Sequence, residues 1–371
     1  MTTPTATCFG PAGARVAVTA GRDEAAALAR LFTPWWDCAP QSGAQPAAHI
    51  GVHVSERLHG QAVDAFRTAA ARPRTGRYAG SPLVATAGAD GTVHALAPDA
   101  GVAYRSAGGS VTVVGRDRDR VVAASFQVAA DLVQGLMESQ GYTLLRASSA
   151  VHGGQAVLGL GGPGPDRSGR AAAALLLAAR HRFGLQATDQ VFARAEADGT
   201  VSTRPRTGPI ALGLGLLDAL GWYGTVRERL AGGEALHPGT DRHVAVALAA
   251  GRRTPLFGPA GERTARLWPD QVFSWFGLVP AHAATAAAVA FPAADPTVAP
   301  AFTGRRAVTD GDLLLPAPDG EDPLGLRPLH PAARRTAADR LLAALNRLPH
   351  HTTPPPRTAA ACAPGGAPAT P

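Results

Sequence analysis

The stretch from residue 143 to residue 204 constrains this chain more than any other part of it. Thr143 to Val151 is an apolar run that reads as a strand, Gly153-Gly154 as a turn, and Gln155-Ala-Val-Leu-Gly-Leu160 as a second strand. A glycine-rich loop follows, Gly161-Gly-Pro-Gly-Pro-Asp-Arg-Ser-Gly169, and then a helix from Arg170 to about His181. That helix is apolar nearly all round between Ala171 and Ala179, so it predicts burial against a sheet. Beyond it, Leu185-Gln-Ala-Thr-Asp189 leads into a strand, Val191 to Ala195, and an Asp198-Gly199 hairpin returns through Val201 to Arg204. A strand, a glycine-rich loop and a helix in this order form an anion cradle. The loop amides turn inward and the helix N-terminus adds the positive end of its dipole.

Two motifs use that geometry, and neither is intact. Gly159-Leu-Gly161-Gly-Pro-Gly164 spells G-x-G-x-x-G, the dinucleotide fingerprint, but Pro165-Asp-Arg-Ser168 separate its third glycine from the helix. The acidic residue expected roughly 20 positions on is missing, since Asp189 comes too late. The phosphate-loop pattern G-x-x-x-x-G-K-[ST] fits in two registers. Gly161-Gly-Pro-Gly-Pro-Asp-Arg-Ser168 keeps the first glycine and the hydroxyl, with Asp166 for the second glycine and Arg167 for the lysine. Gly164-Pro-Asp-Arg-Ser-Gly-Arg-Ala171 keeps both glycines, with Arg170 for the lysine and Ala171 for the hydroxyl that holds magnesium. Pro163 and Pro165 remove two backbone donors from either cradle. A carboxylate at Asp166 would repel a phosphate by roughly 1 to 4 kcal/mol at about 4 Å.

The strand pair from Leu144-Leu-Arg-Ala-Ser-Ser-Ala-Val-His152 to Leu158, the loop, and Ala187-Thr-Asp-Gln-Val-Phe192 together resemble the C-terminal kinase domain of HPr kinase/phosphorylase. They resemble still more closely the kinase-like proteins of that superfamily from actinobacterial gene clusters. The likeness covers roughly residues 119 to 225. It implies an α/β chain with a P-loop kinase-like (HPr kinase C-terminal/PEP carboxykinase-like) domain behind an N-terminal mixed α/β module. It also implies ATP and Mg as cofactors. Arg146 stands where the family has a strand histidine, and Arg167 or Arg170 where it has the loop lysine. Of its acidic pair only Asp189 remains, preceded by Thr188. An arginine is bulkier and planar, and does not replace a compact ammonium in a tight phosphate cradle without cost.

The resemblance therefore implies a degenerate member that binds nucleotide or phosphate weakly and serves as an accessory protein in a peptide or natural-product pathway, beside a peptide or protein partner. Its phosphate contacts would come from Gly161, Gly162, Gly164, Ser168 and Gly169, with charge from Arg167 or Arg170. The alternative is an active ATP-dependent kinase for a hydroxyl of a peptide, protein or small molecule. There Arg167 clamps the phosphates, Ser168 holds magnesium, and Asp189 is the general base.

Composition narrows the field further. The chain has no lysine, so its 35 basic residues are all arginine, and the net charge of +7 is spread along 371 residues. The densest stretch, Arg116-Asp-Arg-Asp-Arg120, alternates in sign, whereas a nucleic-acid binder clusters its cations on one face. No run approaches the roughly 18 to 20 apolar residues of a membrane span, and Met1-Thr-Thr-Pro-Thr5 lacks a secretory pattern, which predicts a cytoplasmic protein with no membrane partner. Cys8, Cys38 and Cys362 make neither a disulfide framework nor a metal site. Oligomeric state is not legible.

The rest of the chain divides into an N-terminal module, 1–118, a P-loop domain with an extension, 119–349, and a disordered tail, 350–371. In the first, Ala14 to Ala20 reads as a strand and Asp23 to Phe32 as a helix closed by Thr33-Pro34, with Trp35-Trp36 as a core plug. Several strands lie between Leu83 and Val114, and a long helix runs from Asp119 to Ser139, stopped by Gly141. In the second, His243 to Ala250 reads as a strand, and residues 264–276 as a loop and helix. Asp310, Asp312, Asp319, Glu321 and Asp322 read as a solvated acidic loop, and Arg334 to Arg347 as a closing helix. The tail begins at His350, where periodicity ends.

Overall fold

The computed structural model describes residues 5–11, 13–40, 46–69, 71–78, 81–161, 168–259, 261–291, 306–314, 322–326 and 330–352. The chain opens with β1 (Thr5–Gly10), β2 (Val16–Ala20), α1 (Arg22–Phe32), β3 (Asp37–Pro40), β4 (Ala48–Val54) and α2 (Glu56–Thr68). A meander follows: β5 (Arg74–Tyr78), β6 (Ser81–Ala87), β7 (Val93–Ala97), β8 (Val102–Ala107) and β9 (Ser110–Gly115), ending in α3 (Arg118–Ser139). These strands make one nine-stranded sheet, ordered β3-β1-β2-β4-β9-β8-β7-β6-β5. Its centre is parallel, β2 on β4 on β9, and its flanks are antiparallel hairpins.

Local chemistry starts and stops these elements. The Ser55 side chain accepts the Leu58 N–H to begin α2, and Asp117 accepts the Arg120 N–H at 3.0 Å to begin α3. Gly141, just past α3, sits at φ +85°, a left-handed conformation that favours glycine. Val121, Phe126, Val128, Val133 and Met137 of α3 are buried against β2, β4, β8 and β9. Each such side chain contributes about 1.5 to 3 kcal/mol on leaving water.

The second sheet begins with β10 (Thr143–Leu145), β11 (Ala147–His152) and β12 (Gln155–Leu160), continues through α4 (Ser168–His181) to β13 (Gly184–Ala187), β14 (Val191–Ala195) and β15 (Val201–Pro205). Around its rim lie β16 (Ile210–Gly213), α5 (Leu214–Ala219), α6 (Tyr223–Ala231), α7 (Arg242–Ala249), the short hairpin β17 (Phe257–Gly258) and β18 (Gly261–Glu262), β19 (Thr264–Leu267) and α8 (Pro269–Phe276). Then come β20 (Ala284–Phe291), α9 (Pro331–Leu345) and β21 (His350–Thr352). The order is β10-β14-β15-β20-β12-β11-β13, with β21 on β20. β12 therefore sits well inside the sheet, antiparallel to β11 and parallel to β20. The buried side of α4 packs on β11, β12 and β13, as its apolar sequence requires, while α9 closes a separate core over β10, β14 and β15.

The chain is mixed α/β, and the two sheets share one continuous hydrophobic core. The joint is made by the end of α1. Trp35 and Trp36 are buried, and their indole N–H groups donate to the carbonyls of Leu185 at 2.8 Å and Pro205 at 3.0 Å, both on the second sheet. The Thr207 hydroxyl returns a hydrogen bond to the Leu31 carbonyl. Arg334 of α9 grips Glu138 of α3 at 2.7 Å, with both side chains largely buried. Among the described residues no helix is long and apolar enough to cross a membrane.

Four expectations are corrected. The run from 143 to 151 is two strands, broken at Arg146, whose N–H bonds the Asp312 carbonyl instead of a neighbouring strand. Residues 243–250 are not a strand but the greater part of α7. The Asp241 carboxylate caps the helix through the His243 N–H at 2.8 Å, and Val244, Ala247 and Leu248 bury one helical face while Val246 stays exposed. The acidic segment is not uniformly solvated: Asp312 is 1% exposed, receives Arg306 and accepts the Thr309 N–H, whereas Asp319 and Glu321 lie outside the described residues. Finally, the tail does not begin at His350. Residues 350–352 pair in parallel with Val289 to Phe291, and the His350 ring meets the Leu345 carbonyl at 2.9 Å. The remainder, 353–371, lies outside the described residues.

Residues 353–371 are rich in Pro, Thr, Ala and Gly without apolar periodicity, so a chain ended after Thr352 should melt within about a degree of the full-length protein. One ended after Pro349 loses β21 and should fall by a few degrees, about 1 to 2 kcal/mol, in thermal unfolding followed by circular dichroism.

Candidate functional site

β12 ends at Leu160, and α4 opens at Ser168 with Gly169 and Arg170 in its first turn. Arg170 is 2% exposed, an unusual place for a guanidinium. It runs back across the backbone of Gly161: a Cβ there would sit 2.7 Å from Nη1 and 3.1 Å from Cγ and Cδ, so only glycine admits this path. Nη2 donates to Oδ1 of Asp189 at 3.1 Å. Among the described residues, Nε and Nη1 are buried with no hydrogen-bond partner. One carboxylate thus compensates the charge, but two donor groups remain unsatisfied. Each unmade bond of that kind costs about 1 to 3 kcal/mol, more for a charged group. An anion placed at this junction would remove that penalty.

The structure joins two of the residues expected from the sequence, Arg170 and Asp189, and sets Gly161 directly beneath the first. Gly162, Gly164 and Arg167 lie outside the described residues, and Ser168 and Gly169 are placed as the opening of α4. Asp189 stands in the turn between β13 and β14, its side chain about half exposed. Arg146 sits instead at the break between β10 and β11, its Nε buried without a partner among the described residues.

Asp189 also forms one edge of a cleft of about 440 Å³ between the two sheets. Tyr78 and Tyr104 line it from the first sheet, Arg120 and Phe126 from α3, and Arg206, His237 and Arg266 from the second half of the chain. Three arginines thus face the cleft with one carboxylate, a net positive lining within low-dielectric walls that concentrate its field. Burial, helped by the Arg266 charge, pushes His237 down to about 4. Its Nδ1 accepts the Gly239 N–H at 3.0 Å, which leaves Nε2 carrying the proton. Burial pushes the Tyr104 hydroxyl up to about 12, so it too is a neutral donor. Gln190, also in the lining, buries an Oε1 with no partner among the described residues.

Sequence reasoning missed this cleft. Arg120 was noticeable only as one member of an alternating charge run. Arg206, His237 and Arg266 come from segments with no motif, and the fold alone brings them together. Among the described residues there is no cluster of three or more histidine, cysteine or acidic groups able to hold a metal ion.

His237 has a consequence for stability. Its pKa lies lower folded than unfolded, so the unfolded chain binds the extra proton between pH 6.5 and about 4, and stability falls as the pH drops through that window. Allowing for its partial exposure, the loss is about 2 kcal/mol. Urea unfolding at pH 7 and pH 4.5 should show a pH difference smaller by that amount in His237→Gln than in the parent.

Compared with known proteins, the sequence matches no family model and no curated protein.

Proposed function

We propose that this chain is a diverged HPr-kinase-like P-loop protein that binds a phosphate-bearing ligand, nucleotide included, at the β12–α4 junction. It acts by binding rather than by phosphoryl transfer, as an accessory to a peptide or natural-product pathway. One observation carries the reading: the buried guanidinium of Arg170, in the first turn of the helix behind a glycine-rich segment, with Nε and Nη1 unpartnered among the described residues. A phosphate oxygen fits that donor set, and the helix N-terminus favours the same charge.

Magnesium fits less well. Asp189 is the carboxylate beside Arg170, and its Oδ1 is held by the guanidinium. The same ion pair turns Oδ1 of Asp189 toward Arg170 and leaves Oδ2 as the oxygen through which it could meet an acceptor hydroxyl. When bound, ATP would supply the phosphate groups. Arg170 would hold them, and Gly161 would keep the path of that side chain clear.

Isothermal titration calorimetry with ATP, with and without magnesium, tests this. The expected result is binding in the high-micromolar to millimolar range, little changed by magnesium and weakened at least about tenfold in Arg170→Gln, or 1.4 kcal/mol. Tight magnesium-dependent binding, with ATP turnover lost in Asp189→Ala, would establish the kinase instead.

A further inference from the structure

We infer that the cleft between the two sheets is a second binding site, for a small molecule that carries an anionic head on an apolar, aromatic-sized body. The inference stands on the cleft alone and does not require the phosphate-loop reading.

Size comes first. At about 440 Å³ the cleft lies within the range that encloses small ligands, roughly 300 to 1,000 Å³, and is too small for a folded partner. Charge comes second. Arg120 reaches the Asp99 carbonyl at 2.8 Å, a neutral acceptor, and makes no ion pair among the described residues. Arg266 has no carboxylate partner among the described residues, and its backbone rather than its guanidinium makes its bonds to Thr240 and His237. Arg120 and Arg266 thus bring two cations to the cleft that have no carboxylate partner among the described residues. A carboxylate or a phosphate monoester is the charge complement of this lining, and a guanidinium can bind either through two parallel hydrogen bonds.

The remaining walls define the body of the ligand. Tyr78 and Tyr104 meet edge to face at 5.6 Å, and Phe126 belongs to the aromatic cluster at the joint, so the cleft offers ring faces and edges on one side. The protonated Nε2 of His237 and the Tyr104 hydroxyl are donors, and the unpartnered Oε1 of Gln190 asks for one in return. A hydroxyl or N–H on the ligand body would meet it. This combination of two unpaired cations, aromatic walls and a buried free acceptor is what selective recognition of a small aryl or alkyl acid requires.

The test uses phenyl phosphate and phenylacetate as probes, with benzyl alcohol as the neutral control and inorganic phosphate as the bare head. Calorimetry on the full chain should show one site for at least one of the two aryl anions, bound at least about tenfold more tightly than benzyl alcohol or inorganic phosphate. Whichever aryl anion binds better identifies the head group. Arg266→Gln and Arg120→Gln should each weaken that binding about tenfold, with unchanged melting temperatures, and Arg170→Gln should leave it within about twofold. The inference is overturned if neither aryl anion binds, if both cleft variants bind like the parent, or if Arg170→Gln alone abolishes binding. The last result would assign the anion to the β12–α4 junction and leave the cleft without a ligand. An ATP titration that fails at the junction while phenyl phosphate still binds separates the two sites.

Discussion

Two consecutive indoles hold the halves of this molecule in register. Trp35 and Trp36 follow α1, which belongs to the first sheet, yet their N–H groups are spent on carbonyls of the second. Each hydrogen bond is worth about 0.5 to 1.5 kcal/mol by itself, and leaving a buried indole N–H unpaired would cost more. Around them Phe32 stacks on Trp36 at 5.3 Å, Phe126 of α3 lies 5.5 Å from Phe32, and Phe273 of α8 meets Trp35 edge-on at 5.3 Å. His282 adds a bond to the Trp35 carbonyl at 2.9 Å. The cleft opens beside this cluster and takes walls from both halves, so its shape depends on the joint. A change that loosened Trp35 would move the wall bearing Tyr104 and Arg120 relative to the wall bearing Arg206 and Arg266.

Asp189 links the two sites. Its carboxylate lies between the buried guanidinium at the start of α4 and the open, positively lined cleft. On one side it partly neutralises Arg170. On the other it is the single negative group in a lining of three arginines. A ligand at either place therefore meets a field that Asp189 helps to set.

Much of this was legible in local sequence, for identifiable reasons. The β11–turn–β12–α4 succession is legible because Gly153-Gly154 is a strong turn signal, with φ of +56° and +78°, and because a helix apolar from Ala171 to Ala179 has few other places to go. The long helix α3 and the burial of Trp35-Trp36 were legible for similar reasons. The failures fall where distant partners override local pattern. His243 to Ala250 is rich in small and β-branched residues, but one carboxylate cap and three buried positions make it helical. His350 to Thr352 carries no pattern of its own and becomes a strand because β15 pairs only with Ala284 and Thr285 of β20 and leaves the 289–291 end of that side open. Asp312 looked like one more surface acid, and it is the buried partner of Arg306. The cleft was invisible because Arg120, Arg206, His237 and Arg266 converge only in three dimensions.

The most direct measurement is on the Arg170 side chain itself. In nitrogen-edited NMR of arginine side chains, the Nε–H resonance of Arg170, identified by its loss in Arg170→Gln, should be followed while inorganic phosphate and then ATP are added. If the buried guanidinium is an anion receptor, that resonance moves progressively and its exchange with water slows as Nε and Nη1 gain their missing partner. A resonance that stays fixed through saturating phosphate and ATP, while other signals respond, would contradict the assignment of this junction as the binding site.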